Sequence, residues 1–93
     1  MNQKNLIILF YLNRAKTNQK GVCPIYCRIT YLYKRKQFST GQFVNPSHWN
    51  SKQQQVVKSN VANQQVNLQL ELIANEIRKA FLQLQLSRGE YNV

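Results

Sequence analysis

Tyr26, Arg28 and Thr30 occupy alternate positions, and a few residues later so do Arg35, Gln37 and Ser39. A spacing of two puts each set on one face of an extended strand. Together they suit one kind of chemistry. A guanidinium forks onto paired acceptors, such as a guanine edge or a phosphate. A glutamine amide matches an adenine edge, and a threonine methyl can meet thymine. Tyrosine and serine hydroxyls can donate to phosphate oxygens, and tyrosine can also stack. Lys34 and Lys36 interleave the second set, while Arg14, Lys16 and Lys20 precede the first. Such charges hold a phosphate backbone without reading it. Each residue also has a plainer role. An arginine stem can simply cover a sheet, and an exposed tyrosine is a good strand former.

Catalytic chemistry finds no footing. The three acids, Glu71, Glu76 and Glu90, all fall in the last third of the chain. They offer no paired general acid and base. His48 is the single histidine, which leaves no triad. Gly21, Gly41 and Gly89 are isolated, so there is no phosphate-cradling loop. Cys23 and Cys27 are the two cysteines. On one strand they lie about 13 Å apart at ~3.3 Å per residue, and a disulfide needs Cα atoms within about 7 Å. With one histidine and no further thiol they make a poor metal site. They read as small buried apolar residues in a reducing compartment. The expectation is a binding module with no catalytic residue, no metal and no cofactor.

The charge sets the partner class. The chain has 93 residues, a net charge of +10 and 43% hydrophobic residues. That is one domain with enough apolar content for a core, unlike a disordered polybasic tail. Residues 1–58 carry ten Lys or Arg and no acid. In residues 59–93, Arg78, Lys79 and Arg88 balance Glu71, Glu76 and Glu90, so the whole +10 belongs to the first 58 residues. An acid-free half-domain attracts polyanions, of which nucleic acid is the commonest. The apolar run Leu6–Leu12 is too short to span a bilayer and lacks the marks of a signal peptide. A cytoplasmic chain without a membrane anchor is expected.

These side chains need a scaffold. Leu6–Leu12 reads as a strand that is largely buried or central in a sheet. Asn13–Gly21 is a basic loop with turn residues. Val22–Thr30 is a second strand, with Ile25, Cys27 and Ile29 on one face and Pro24 near its start. A two-residue turn at Leu32–Tyr33 leads into a third strand, Lys34–Thr40 or slightly beyond, which Gly41 ends. That register opposes Thr30 with Arg35, Arg28 with Gln37, Tyr26 with Ser39, Cys27 with Phe38 and Ile25 with Thr40. Asn45 and Pro46 can open a single helical turn, with Trp49 as a core plug beneath it. Val66, Leu70, Ile73, Ile77, Phe81 and Leu84 form one helical stripe, capped by Ser59, Asn60 or Asn63 and ended by Gly89. Leu68, Leu72, Leu82 and Leu86 fall partly outside it and widen the apolar face or mark a second contact. The fold class is α+β: a three-stranded antiparallel sheet packed against one long C-terminal helix, with its polar face in water.

The ordered segments Gly21-Val-Cys-Pro-Ile-Tyr-Cys-Arg-Ile-Thr30, Lys34-Arg-Lys-Gln-Phe-Ser-Thr-Gly41 and Val44-Asn-Pro-Ser-His-Trp-Asn50, followed by Asn67-Leu68 and the helix, carry a resemblance. The sequence resembles the N-terminal arm-type DNA-binding domain of tyrosine recombinases, the phage and transposon integrases of the Bacteroidetes kind. The resemblance covers nearly the whole chain. It implies binding of duplex DNA at arm-type sites, and contacts with neighbouring integrase domains or protomers. It implies that residues 1–89 are the domain and that 90–93 begin a linker to core-binding and catalytic domains. Those other domains hold the family's catalytic residues. Leu32–Tyr33 departs from the polar or glycine turn usual in relatives. The expected DNA-binding set is Tyr26, Arg28, Thr30, Arg35, Gln37 and Ser39, with Arg14, Lys16, Lys20, Lys34 and Lys36 on the backbone. Two other functions fit the composition: RNA binding, or protein interaction through the leucine-rich helix.

Overall fold

The computed structural model describes residues 6–87. Ile7–Leu12 forms β1, Cys23–Tyr31 forms β2 and Lys34–Val44 forms β3. They build one antiparallel sheet in the order β1-β2-β3. A 3-10 turn at Pro46–His48 leads to a small second sheet of β4, Trp49–Asn50, and β5, Gln55–Val56. The helix α1 runs from Val61 to Ser87. Asn60 caps it, its Oδ1 accepting from the Asn63 amide at 2.8 Å. The end expected at Gly89 and the linker at 90–93 lie outside the described residues.

One face of the sheet makes the core. Ile25 and Cys27 of β2 are fully buried there with Phe10 of β1 and Val44 of β3. Leu70 and Ala74 close it from the helix, and Val56 of β5 closes it from the side. Ile8, Leu12, Ile29, Trp49, Val66, Ile73 and Ile77 pack around the edge of this cluster. The α+β class and the helix-on-sheet arrangement are therefore as the sequence implies. Trp49 packs against the core as expected, and Asn45 caps the turn at Pro46 by accepting from the Ser47 amide at 3.0 Å. Leu84 lies on the expected stripe but is exposed. Tyr31, the last residue of β2, meets Phe81 edge-on at 4.7 Å, and Leu84 lies about a turn beyond that contact.

Three local features differ from expectation, and one more, the hairpin turn, is as expected but unusual in its backbone. First, β1 is an edge strand and not a central one, because β2 pairs on both sides. A continuous apolar run does not distinguish the two. Of β1 only Phe10 is buried, while Ile7 is exposed. Second, β3 does not end at Gly41 but continues to Val44 through a bulge. Thr40, Gly41 and Gln42 stand opposite the single residue Ile25, so the expected Ile25–Thr40 pair does not form. Instead, Thr40 Oγ1 donates to the Ile25 carbonyl at 2.8 Å, and Gly41 supplies a φ of +79°. Third, the Leu32–Tyr33 turn is present with both residues at positive φ, 51° and 66°. This is the primed turn that a tight hairpin requires, built from residues that resist it. Fourth, β4 and β5 were not foreseen. Asn67 clamps them to the helix: its Oδ1 accepts from the Val56 amide at 2.7 Å and its Nδ2 donates to the Val56 carbonyl at 2.8 Å.

Candidate nucleic-acid interface

The outer face of the sheet is a grid set by the strand register. Ile7, Thr30 and Arg35 form one row. Leu9, Arg28 and Gln37 form the next, and Tyr11, Tyr26 and Ser39 the third. The expected pairs Thr30–Arg35, Arg28–Gln37 and Tyr26–Ser39 all form. The bulge leaves this part of the hairpin undisturbed, because it lies beyond Ser39.

Side-chain contacts tie the grid together. Tyr11 Oη donates to Gln37 Oε1 at 2.6 Å across the width of the sheet. The Arg28 guanidinium lies over the Tyr11 ring, 5.9 Å from its centre. The Tyr11 and Tyr26 rings are tilted together at 6.0 Å. Lys16 arrives from the loop between β1 and β2 and places Nζ 5.5 Å from the centre of the Tyr26 ring. Hydrogen bonding to Tyr26 and its charge raise the Lys16 pKa above the ordinary lysine value. The result is a cation–aromatic lattice, with Arg28 and Lys16 placed over rings.

The remaining cations divide between two places. Arg14 and Lys16 lie on a 3-10 turn, Arg14–Lys16, and Lys20 lies in the bend that follows. That bend is ordered by Asn18 Oδ1, which accepts from the Lys20 and Val22 amides at 2.9 and 3.2 Å. Arg14, Lys16 and Lys20 are all exposed. Lys34 and Lys36 are exposed too, but strand alternation puts them on the helix side of β3, with Phe38. They flank the sheet instead of joining the grid. Lys36 still reaches the rim of a shallow concavity that it lines with Arg28, Arg35 and Gln37.

Sequence reasoning missed the β1 column. Ile7, Leu9 and Tyr11 make one third of the outer face, and it is apolar and aromatic rather than cationic. Only the β1–β2 register reveals this, and no turn signal in the sequence fixes that register. The Tyr11 link to Gln37 is equally invisible, since the two residues are far apart in the chain and on different strands.

Among the described residues, no group of three or more His, Cys, Asp or Glu is placed to hold a metal ion. Nor is any helix long and apolar enough to cross a membrane. Cys23 and Cys27 are free thiols, and both are buried. Burial raises the Cys27 pKa to about 11.

Comparison with known proteins gives one family, described as Arm DNA-binding domain, which matches residues 10–93. No curated protein and no solved structure matches the chain. The match begins at Phe10 within β1 and runs through β2, β3, the second hairpin and the helix. The chain belongs to the Arm DNA-binding domain family: it is the non-catalytic, arm-type DNA-binding domain found in integrases, and its partner is DNA.

Proposed function

We propose that the chain binds duplex DNA at arm-type sites of a tyrosine recombinase, through the outer face of its sheet. The single observation that carries this reading is the outer grid. Arg28, Arg35, Gln37, Ser39, Thr30 and Tyr26 share one face in register, in a half-domain without one acid. The three strands span about 10 Å between their outer axes, and the major groove is about 12 Å wide. Arg28, Arg35 and Gln37 then meet base edges, while Thr30, Ser39 and Tyr26 meet bases or the nearer phosphates. Arg14, Lys16 and Lys20 hold one strand of the backbone from the loop. Lys34 and Lys36 hold a phosphate run from the hairpin end. In the parent recombinase such a domain tethers arm DNA while other domains carry the chemistry.

The experiment is fluorescence polarisation against two labelled duplexes and an RNA competitor, titrated with salt. One duplex comes from the ends of the parent mobile element and the other is its scramble. Native ends should bind tighter at physiological salt. With about six phosphate contacts, affinity should fall roughly a thousandfold between ~50 and ~200 mM salt. The variant R28E/R35E should lose binding by at least about thirtyfold, since each charge-assisted base contact is worth about 1–3 kcal/mol, with its circular dichroism unchanged. Full affinity in that variant overturns the sheet-face assignment. Equal binding to both duplexes, or a preference for RNA, overturns the arm-site reading.

A further inference from the structure

Helix α1 carries a second apolar stripe that faces away from the sheet. Leu68, Leu72, Leu82 and Leu86 are 54%, 49%, 47% and 53% exposed. With Asn75 and Lys79 they follow the alternating three-and-four spacing of a coiled-coil seam. At about 100° per residue this seam lies roughly opposite Leu70, Ala74, Ile77 and Phe81, which face the sheet. Among the described residues nothing covers it.

We propose that this seam is the contact for a second copy of the chain, docked antiparallel. Charge argues for the copy. Residues 1–58 hold ten basic residues and no acid, so two sheets or two loop ends repel. The helix is the neutral part of the described chain, with Glu71 and Glu76 against Arg78 and Lys79. Its seam is where two +10 molecules can approach each other. The order of residues argues for the direction. Parallel packing sets Lys79 against Lys79 inside the seam, whereas the flanks pair like charges in either direction, Glu71 with Glu76 when parallel and Glu76 with Glu76 and Arg78 with Arg78 when antiparallel. Antiparallel packing sets Leu68 on Leu86 and Leu72 on Leu82 of the other copy. Asn75 Oδ1, which accepts from the Arg78 guanidinium of its own chain at 3.2 Å, then takes the opposing Lys79 ammonium on its second lone pair at the centre. Leu68 and Leu86 are about 27 Å apart along the axis. A strip of that length buries on the order of 500 Å² per copy, about 1,000 Å² in all, the lower bound of a specific interface. The dimer is therefore weak and forms at high local concentration.

The geometry has a functional reach that rests on the DNA reading above. Because the seam lies opposite the core face, the two outer grids of the dimer point away from each other. Such a dimer holds two duplexes at once.

Sedimentation equilibrium of the whole chain from micromolar to millimolar concentration is the test. The mass should move from one chain toward two. L72K/L82K should abolish the shift, with circular dichroism retained, and K79L should move it to lower concentration. Under mild oxidation L72C/L82C should form disulfide-linked dimers and L72C alone should not, since the native thiols are buried. A monomer throughout, or a dimer indifferent to L72K/L82K and K79L, overturns the proposal. Crosslinking by L72C alone overturns the antiparallel arrangement. A dimer that binds no DNA would refute the functional reading and leave the interface standing. A dimer that binds DNA yet never captures a second duplex on a bead-bound first one overturns the bridging alone.

Discussion

Replacing Asn67 by alanine should destabilise the domain by about 2–4 kcal/mol. The reasoning runs through Val56, which is 1% exposed and belongs to the core. Both of its backbone groups are satisfied by one side chain, at 2.7 and 2.8 Å. Alanine leaves an amide and a carbonyl without partners in a place water reaches poorly. Each such group costs about 1–3 kcal/mol. Water entering the new space recovers part of that, which sets the range. In a domain this small, about 2–4 kcal/mol lowers Tm by about 10–25 °C. Aspartate is the informative control. It keeps an acceptor for the Val56 amide but turns a second oxygen on the Val56 carbonyl, so N67D should be destabilised as well. Urea unfolding followed by Trp49 fluorescence reports both variants, since Trp49 pairs with Val56 in the second hairpin. Below its Tm, N67A should keep its DNA affinity, because Asn67 lies on the opposite side of the core from the grid. A loss under about 0.5 kcal/mol refutes the argument, because it places the two backbone groups in contact with solvent.

Four further outcomes follow from the backbone and the thiols. The turn variant L32N/Y33G should gain about 1–2 kcal/mol in urea unfolding, since it relieves two side chains at positive φ; no gain would mean that the turn is not under strain. Gly41→Ala should cost only about 1 kcal/mol, a conformational penalty alone, because an added Cβ meets nothing within 4 Å while φ stays at +79°. A loss several times larger in the same assay would mean that the bulge is packed. Cys23 and Cys27 should resist Ellman's reagent in the native chain at pH 8 and react only on unfolding. The Cys27 pKa rises from 9.0 to about 11 on folding, so the native state favours the protonated thiol. Stability from this group is intact below pH 9 and declines as the pH climbs from 9 toward 11. A chain more stable at pH 10.5 than at pH 8 contradicts that sign.

The legible part of the fold was the part with strong periodicity. Tyr26, Arg28 and Thr30 alternate cleanly, so a hairpin closed at Leu32–Tyr33 admits one register that keeps the faces separate. The helix stripe from Val66 to Phe81 was equally plain. Two kinds of information were not local. The position of β1 depended on which neighbour it paired, and an apolar run such as Leu6–Leu12 fits an edge or a centre. The β4–β5 hairpin is held by amides from other elements, Asn67 above all, rather than by a pattern of its own. Its two-residue strands carry too few side chains to show one. The candidate site was half legible for the same reason. Two of its three columns lie on one hairpin and could be aligned from sequence, while Ile7, Leu9 and Tyr11 could be placed only in three dimensions.

Unpaired sheet edges invite aggregation, and here a polar side chain defends one of them. The Phe10 amide of β1 points away from β2 and donates to Gln54 Oε1 at 3.0 Å. A stray strand seeking to extend the sheet there meets a donor already occupied. On the opposite edge, β3 carries Lys34, Arg35 and Lys36 at one end and the Thr40–Gln42 bulge toward the other. Charge and irregular spacing both discourage pairing. With its edges guarded in this way, the sheet can present a broad open face to solvent at high concentration without growing into a fibril. Removing the Gln54 amide should therefore cost solubility before it costs fold, a liability unrelated to DNA.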